Sequence, residues 1–127
     1  LGLENLFHIY ALPTYEEMKI LLEEFPTPWV GCTLDLGHLQ VLSELGVLPY
    51  QAWLDHFSSR IIGVHFHDVI GIDDHQAPGC GDIDFQHIAG YIPQDAHRTL
   101  EVAKTLTPED IHSGLLHLED KACIKRL

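Results

Sequence analysis

The sequence is poor in positive charge. Seven Lys and Arg stand against 19 Asp and Glu, for a formal net charge of −12 with His neutral. A chain this acidic is not built to track a phosphate backbone over a long footprint, which argues against nucleic acid as a partner and for small molecules or metal cations. Long hydrophobic runs are also missing. Stretches such as Ile61-Ile62-Gly63-Val64 fall far short of the ~20 apolar residues of a membrane span, and no basic segment followed by an apolar one marks a signal peptide. Cysteine is sparse: Cys32, Cys80 and Cys123 are odd in number and show no Cys-x-x-Cys spacing. That argues against a disulfide framework and fits reduced thiols in a cytoplasm. Low-complexity segments and linkers are absent too. With 46 % hydrophobic and 20 % charged residues, disorder and fibrous repeats drop out, and 127 residues suit one ordinary domain.

What is present is a repeated alternation of strand and helix signals. Residues 1–5 read as a first strand. Pro13-Thr14 opens a helix, with Thr14 as N-cap and Glu17 three residues on as a capping box; Tyr15, Met18, Leu22 and Phe25 fall on one face, and Pro26 and Pro28 end it. A second strand covers 29–34 and leads into Asp35-Leu36-Gly37-His38. A helix over 49–58 starts at Pro49 and places Trp53 and Phe57 one turn apart. The third strand, 61–66, is a nearly continuous β-branched run of the kind found in parallel sheets covered on both faces. After it, 69–82 reads as a long loop rich in Gly, Asp and His. Asp84 caps a short helix with Phe85, Ile88, Ala89 and Ile92 inward, a short fourth strand spans 98–102, and Thr107-Pro108-Glu109 opens a last helix with Ile111, Leu115 and Leu118 on one stripe. Four βα repeats with parallel strands predict an α/β fold.

Each of the four strands ends in a potential metal ligand: Glu4, Asp35, His65 and Glu101, about 30 to 36 residues apart, or one βα unit. In a barrel of βα units, successive strands bring their C-terminal ends to one rim. Three carboxylates and an imidazole gathered there repel unless a cation neutralises them, and mixed oxygen and nitrogen donors suit Mg²⁺, Mn²⁺, Co²⁺ or Zn²⁺. Taken singly, each residue has a plainer reading. Glu4 could be a solvated charge, Asp35 the cap of the next turn and His65 a core histidine, while an unpaired buried Glu101 would be costly. Their recurrence favours the metal. In the loop after the third strand, Asp73 and His75 could also bind metal, as could His38; a turn with solvated acids is the alternative. Cys80 between Gly79 and Gly81 has no assignable base and reads as structural. The loop is longer than the usual ~2–6 residues of a βα connection, so we expect it to fold over the rim and bring His75 toward His38.

These residues sit in motifs. The run Leu34-Asp35-Leu36-Gly37-His38 is followed by Val64-His65-Phe66-His67-Asp68. Then come Asp74-His75-Gln76-Ala77-Pro78-Gly79-Cys80-Gly81-Asp82-Ile83-Asp84-Phe85 and a strand carrying Leu100-Glu101. From about Leu3 to Leu118 the chain resembles the C-terminal half of the xylose isomerase-like TIM barrels, a superfamily of sugar and sugar-phosphate isomerases and epimerases with an apurinic-site endonuclease branch. The resemblance implies that Glu4, Asp35, His65 and Glu101 hold one catalytic divalent metal. It implies that Glu4 and Glu101 also shuttle a proton in epimerase-like members. His38 matches a position that touches substrate in sugar-processing members and ligates a further metal in the nuclease branch, and Asp73 and His75 match additional ligands of that branch. His67, a possible substrate contact, stands where many sugar-processing relatives carry Lys.

The leading expectation is therefore a metal-dependent isomerase or epimerase of a sugar or sugar phosphate, working through a metal-stabilised enediolate. The alternatives are a zinc-dependent phosphodiesterase of the apurinic-endonuclease type and a non-catalytic truncated half-barrel. Only four of the family's eight βα units are visible, and the chain opens on Leu1 inside strand-like sequence. We thus expect residues 1–127 to form a single (β/α)₄ half-barrel, a fragment or truncated form of a (β/α)₈ barrel. Its open edges would be closed by a second copy in a homodimer or by a missing N-terminal half.

Overall fold

The computed structural model describes residues 1–8 and 10–125. Its centre is a four-stranded parallel sheet in the order β1 (Gly2–Glu4), β2 (Gly31–Asp35), β3 (Ile61–Phe66) and β6 (His97–Leu100). The chain thus adds each strand of this sheet beside the last, as the strand-helix alternation predicts. The connections carry α1 (Tyr15–Glu24), α2 (Leu36–Glu44), α3 (Tyr50–Phe57), α4 (Phe85–Ala89) and α5 (Pro108–Asp120). The expected capping box of Thr14 with Glu17 forms on α1, and the structure shows a second one, Thr107 with Asp110, on α5, where Pro108 takes the first turn.

The strands alternate in the way their sequence requires. Cys32, Leu34, Val64 and Phe66 are buried in the main core with Met18, Leu22, Trp53, Leu54, Phe57, Phe85 and Ile88 from the helices. The alternate positions, Thr33, Asp35, Gly63 and His65, belong to the opposite face. The register pairs Asp35 with His65 and His65 with Thr99, so neighbouring ligand candidates stand side by side.

Four departures from the sequence reading have physical causes. Residues 36–44 form α2 where no helix is expected, because this helix is buried nearly all round, from Leu36 to Leu42, and so lacks an apolar stripe. The expected loop after β3 contains a two-stranded antiparallel hairpin, β4 (Asp68–Ile70) and β5 (Asp73–Gln76), hidden by the low strand propensity of Asp-Asp-His-Gln. Phe25 does not join the inward face of α1 but is its half-exposed C-cap. β3 has the expected bounds, but β1, β2 and β6 are each shorter than expected, and Glu101 lies one residue beyond β6, with its amide hydrogen-bonded to the Phe66 carbonyl.

Two of the few basic residues are spent on the frame. Arg60, just before β3, donates to the carbonyls of Leu22, Phe25 and Val30, joining the end of α1 to the start of β2. Arg98 in β6 donates to the carbonyls of Pro93, Gln94, Ala96 and Cys123. Among the described residues, no helix is long and apolar enough to cross a membrane. All three thiols are free. Cys32 and Cys123 are buried and Cys80 is exposed, and burial pushes the Cys32 thiol up to about 12 and that of Cys123 to about 11. A thiol reagent at mildly alkaline pH should therefore label Cys80 alone in the folded chain and all three in denaturant. Fast labelling of Cys32 without denaturant would contradict this packing.

Candidate metal centre

The C-terminal ends of the four parallel strands bring Glu4, Asp35, His65 and Glu101 together. One ligand atom from each lies within 4.8 Å of the others. The hub is His65 Nδ1, at 2.7 Å from Glu101 Oε2, 3.4 Å from Glu4 Oε1 and 3.6 Å from Asp35 Oδ2. Unit negative charges under 5 Å apart repel by roughly 3–4 kcal/mol per pair at an effective dielectric of about 20, less where water reaches them. A gathering of three carboxylates needs positive charge to hold it.

Asp35 is the best-fixed member. Its backbone is clamped by the buried amide of Asn5, which accepts from the Asp35 N–H at 2.9 Å and donates to the Asp35 carbonyl at 3.0 Å. Its Oδ1 accepts from the His38 amide, which makes Asp35 the N-cap of α2, and from His67 Nε2, both at 2.8 Å. The capping role and the cluster role thus coexist, on different oxygens. Among the described residues, Oδ2 is buried and has no hydrogen-bond partner, and His65 Nδ1, though 2.7 Å from Glu101 Oε2, makes no hydrogen bond of acceptable geometry either. Such orphans cost about 1–3 kcal/mol each, more when charged. They, and the hard and borderline donor set, fit a divalent cation. Burial alone would push the Asp35 carboxyl up, but the hydrogen bonds from the His67 ring and the His38 amide outweigh it and hold it below its ordinary range.

A second group lies beside the first. His38, His67 and His75 also bring one ring nitrogen each within 4.8 Å of one another, and the His38 and His75 ring centres are 6.0 Å apart. The hairpin thus folds over the rim and sets His75 near His38. The three imidazoles are not equivalent. His38 Nδ1 donates to the Asn5 carbonyl at 3.1 Å, leaving Nε2 free and 3.9 Å from Asp74 Oδ2. His75 Nδ1 lies 2.9 Å from Asp74 Oδ1, and its Nε2 lies 3.8 Å from Glu101 Oε1. His67 is fully buried, with Nε2 on Asp35 and Nδ1 accepting the His75 amide at 2.8 Å. Both of its nitrogens are occupied, so it has no lone pair to offer a cation, and its burial keeps it off any substrate surface. Burial would lower its pKa; the hydrogen bond to Asp35 and that residue's charge pull it up, while the His75 amide requires a lone pair at Nδ1.

Asp73 stands outside both groups. It is exposed, and its carboxylate accepts from Gln76 Nε2 at 2.9 Å. Its place near His38 and His75 is taken by Asp74. The cause is the backbone of His75, whose φ of +59° breaks the two-residue alternation of β5. Three contributors escaped the sequence reading: Asn5, Asp74 and Asp68. Asp68 is buried, and its two oxygens accept the amides of Val69, Gly79, Gly81 and Ile83. An acid followed by a glycine-rich loop is the signal that could have exposed it.

A family model described as xylose isomerase-like TIM barrel matches residues 1–116. The chain belongs to that family. Xylose isomerase-like TIM barrels include isomerases, epimerases and endonuclease-like members. No curated protein and no solved structure matches the chain. Within this xylose isomerase-like chain, Gly37 has a local reason to be glycine: a Cβ there would come within 1.9 Å of the His67 ring. Gly37→Ala should therefore displace His67 and cost about 1–3 kcal/mol or more in denaturant unfolding. An unchanged unfolding midpoint would contradict the contact.

Proposed function

We propose that this chain carries the metal-binding rim of an isomerase or epimerase acting on a small hydroxy-carbonyl compound such as a sugar or sugar phosphate. The observation that carries the reading is the hub at His65, where the buried and unpartnered Asp35 Oδ2 and His65 Nδ1 face each other beside Glu4 and Glu101. A divalent cation here (Mn²⁺, Mg²⁺, Co²⁺ or Zn²⁺) would supply positive charge to a substrate oxygen that becomes negative during proton transfer.

Exposure divides the work among the four residues. Asp35 is 0 % exposed and His65 21 %, whereas Glu4 and Glu101 are 35 % and 45 % exposed. The less exposed pair holds, and the more open pair reaches substrate. One glutamate takes the proton from the carbon next to a carbonyl, and the electron pair left on that carbon moves toward the carbonyl oxygen. The other glutamate returns a proton to the opposite face or to the neighbouring carbon. His38 Nε2 and His75, at the edge of the same rim, would meet substrate oxygens.

The unaltered chain should bind one Mn²⁺ by calorimetry, and Asp35→Ala should abolish binding while the far-UV circular dichroism persists. In D₂O, a panel of hydroxy-carbonyl sugars should show exchange of the carbon-bound proton by NMR. Glu4→Gln and Glu101→Gln should each slow it by about 10²–10⁴-fold. Wild-type Mn²⁺ affinity in Asp35→Ala would refute the site.

The free His38 Nε2, with Asp74 and His75 beside it, favours a second reading, a zinc-dependent phosphodiesterase holding a further ion. Two or three ions per chain, with cleavage of phosphodiesters, would replace the first reading by this one. The acidic balance and the use of Arg60 and Arg98 on backbone carbonyls weigh against a phosphate-rich polymer.

We further propose that the sheet is closed by another set of βα units, from a second copy or from further strands of a longer chain. Support comes from β1 and β6, each paired with a strand on one side only among the described residues, and from a cavity of about 200 Å³ over Gly2, Thr33, Gly63, His65 and Thr99 on the face opposite the core. By light scattering, the chain alone should associate at micromolar concentration. A stable monomer that unfolds cooperatively would contradict this.

A further inference from the structure

We propose that His67 is a positioning residue, which turns the Asp35 carboxylate so that one oxygen faces the cation and ties the β4–β5 hairpin to that same carboxylate. The inference rests on the reading of the Glu4, Asp35, His65 and Glu101 cluster as a cation site. An aspartate capping a helix is held by one amide at one oxygen and keeps rotational freedom about its last bond. Asp35 has a second donor, His67 Nε2, on the oxygen that already accepts the His38 amide, both at 2.8 Å. With two donors on Oδ1, Oδ2 is left bare and points at His65 Nδ1, 3.6 Å away.

The ring has little freedom to do anything else. It is 0 % exposed, lies over the His75 ring at 4.2 Å and 11° between planes, and abuts Gly37, where no Cβ could fit. Its other nitrogen accepts the His75 amide at 2.8 Å. That residue sits at a φ of +59°, and its carbonyl accepts the Ala103 amide at 2.8 Å, two residues after Glu101. A continuous line of hydrogen bonds thus runs from Asp35 through His67 and His75 to the segment that follows Glu101. An ordinary core histidine satisfies its nitrogens on whatever carbonyl lies nearby; this one joins a cluster ligand to the hairpin. Groups behind a metal ligand of this kind typically change metal affinity by about 10–100-fold when removed.

Two substitutions separate the two bonds. His67→Gln places an amide nitrogen near the Nε2 position and keeps the donor to Asp35, but loses the acceptor for the His75 amide. His67→Asn places a carbonyl oxygen near the Nδ1 position and keeps that acceptor, but loses the donor. Co²⁺ affinity is read from the visible absorption of the full chain on titration, with circular dichroism as the folding control. Amide hydrogen exchange reads the hairpin independently. We expect His67→Gln to bind Co²⁺ within about threefold of the unaltered chain with faster exchange at His75, and His67→Asn to bind about 10–100-fold more weakly with exchange at His75 little changed. A folded His67→Asn that binds Co²⁺ as tightly as the unaltered chain overturns the inference. So does a folded His67→Gln weakened tenfold or more, because the donor is then present without the effect. If the unaltered chain binds no Co²⁺ at all, the cation reading fails and this inference fails with it.

Discussion

The Asp35 carboxylate is asked to do two things at once, and the division between its oxygens organises the rim. Oδ1 belongs to the frame, where it caps α2 and receives His67. Oδ2 belongs to the cluster, buried and without a donor. Burying a carboxylate without partners is expensive, so the chain meets this one with fixed dipoles from two elements, the first turn of α2 and the imidazole that follows β3, while the Asn5 amide after β1 clamps the Asp35 backbone. None of these contacts is local in sequence except the cap. The parallel register makes them possible, because Asp35 is paired with His65 across β2 and β3 and lies one strand from Asn5. The sheet therefore acts as a jig for one oxygen atom.

The hairpin is governed by the same kind of economy. Asp68 accepts four amides from Val69, Gly79, Gly81 and Ile83, gathering a loop that would otherwise leave buried N–H groups unpaired. Gly81 is essential to that arrangement, since a Cβ there would meet the Val69 carbonyl at 2.1 Å. With the loop so anchored, Asp74 and His75 lean over the rim beside His38. Scarce positive charge is consistent with this design. Arg60 and Arg98 serve backbone carbonyls at the start of their strands, while the rim is left with acids and imidazoles.

Much of this was legible in the sequence, and the exceptions are instructive. Glu4, Asp35, His65 and Glu101 could be picked out because a βα repeat puts strand ends at a regular spacing, a signal carried by period rather than by any single residue. The caps Thr14, Asp84 and Thr107 and the inward faces at Met18, Trp53 and Phe85 were readable for the same local reasons. By contrast, α2 was invisible because its burial on nearly all sides erases the helical stripe. Asn5 was missed because its partner lies 30 residues away and an amide after a strand looks like any loop residue. The choice of Asp73 over Asp74 failed because strand alternation assumes ordinary backbone, and His75 does not have it. His67 looked like a substrate contact because its motif neighbours His65 and Asp68 bear chemistry; only the burial of its ring and the engagement of both nitrogens show otherwise.

The central claim is that the four strand ends form one cation site with Asp35 Oδ2 and His65 Nδ1 at its heart. Anomalous diffraction from Mn²⁺-loaded crystals, with data collected at the manganese edge, tests it most directly. The account predicts a strong anomalous peak within about 2.0–2.4 Å of both atoms, with Glu4 and Glu101 completing the shell. A map with no peak among these four residues, or with Asp35 Oδ2 turned away from the bound ion, would contradict it.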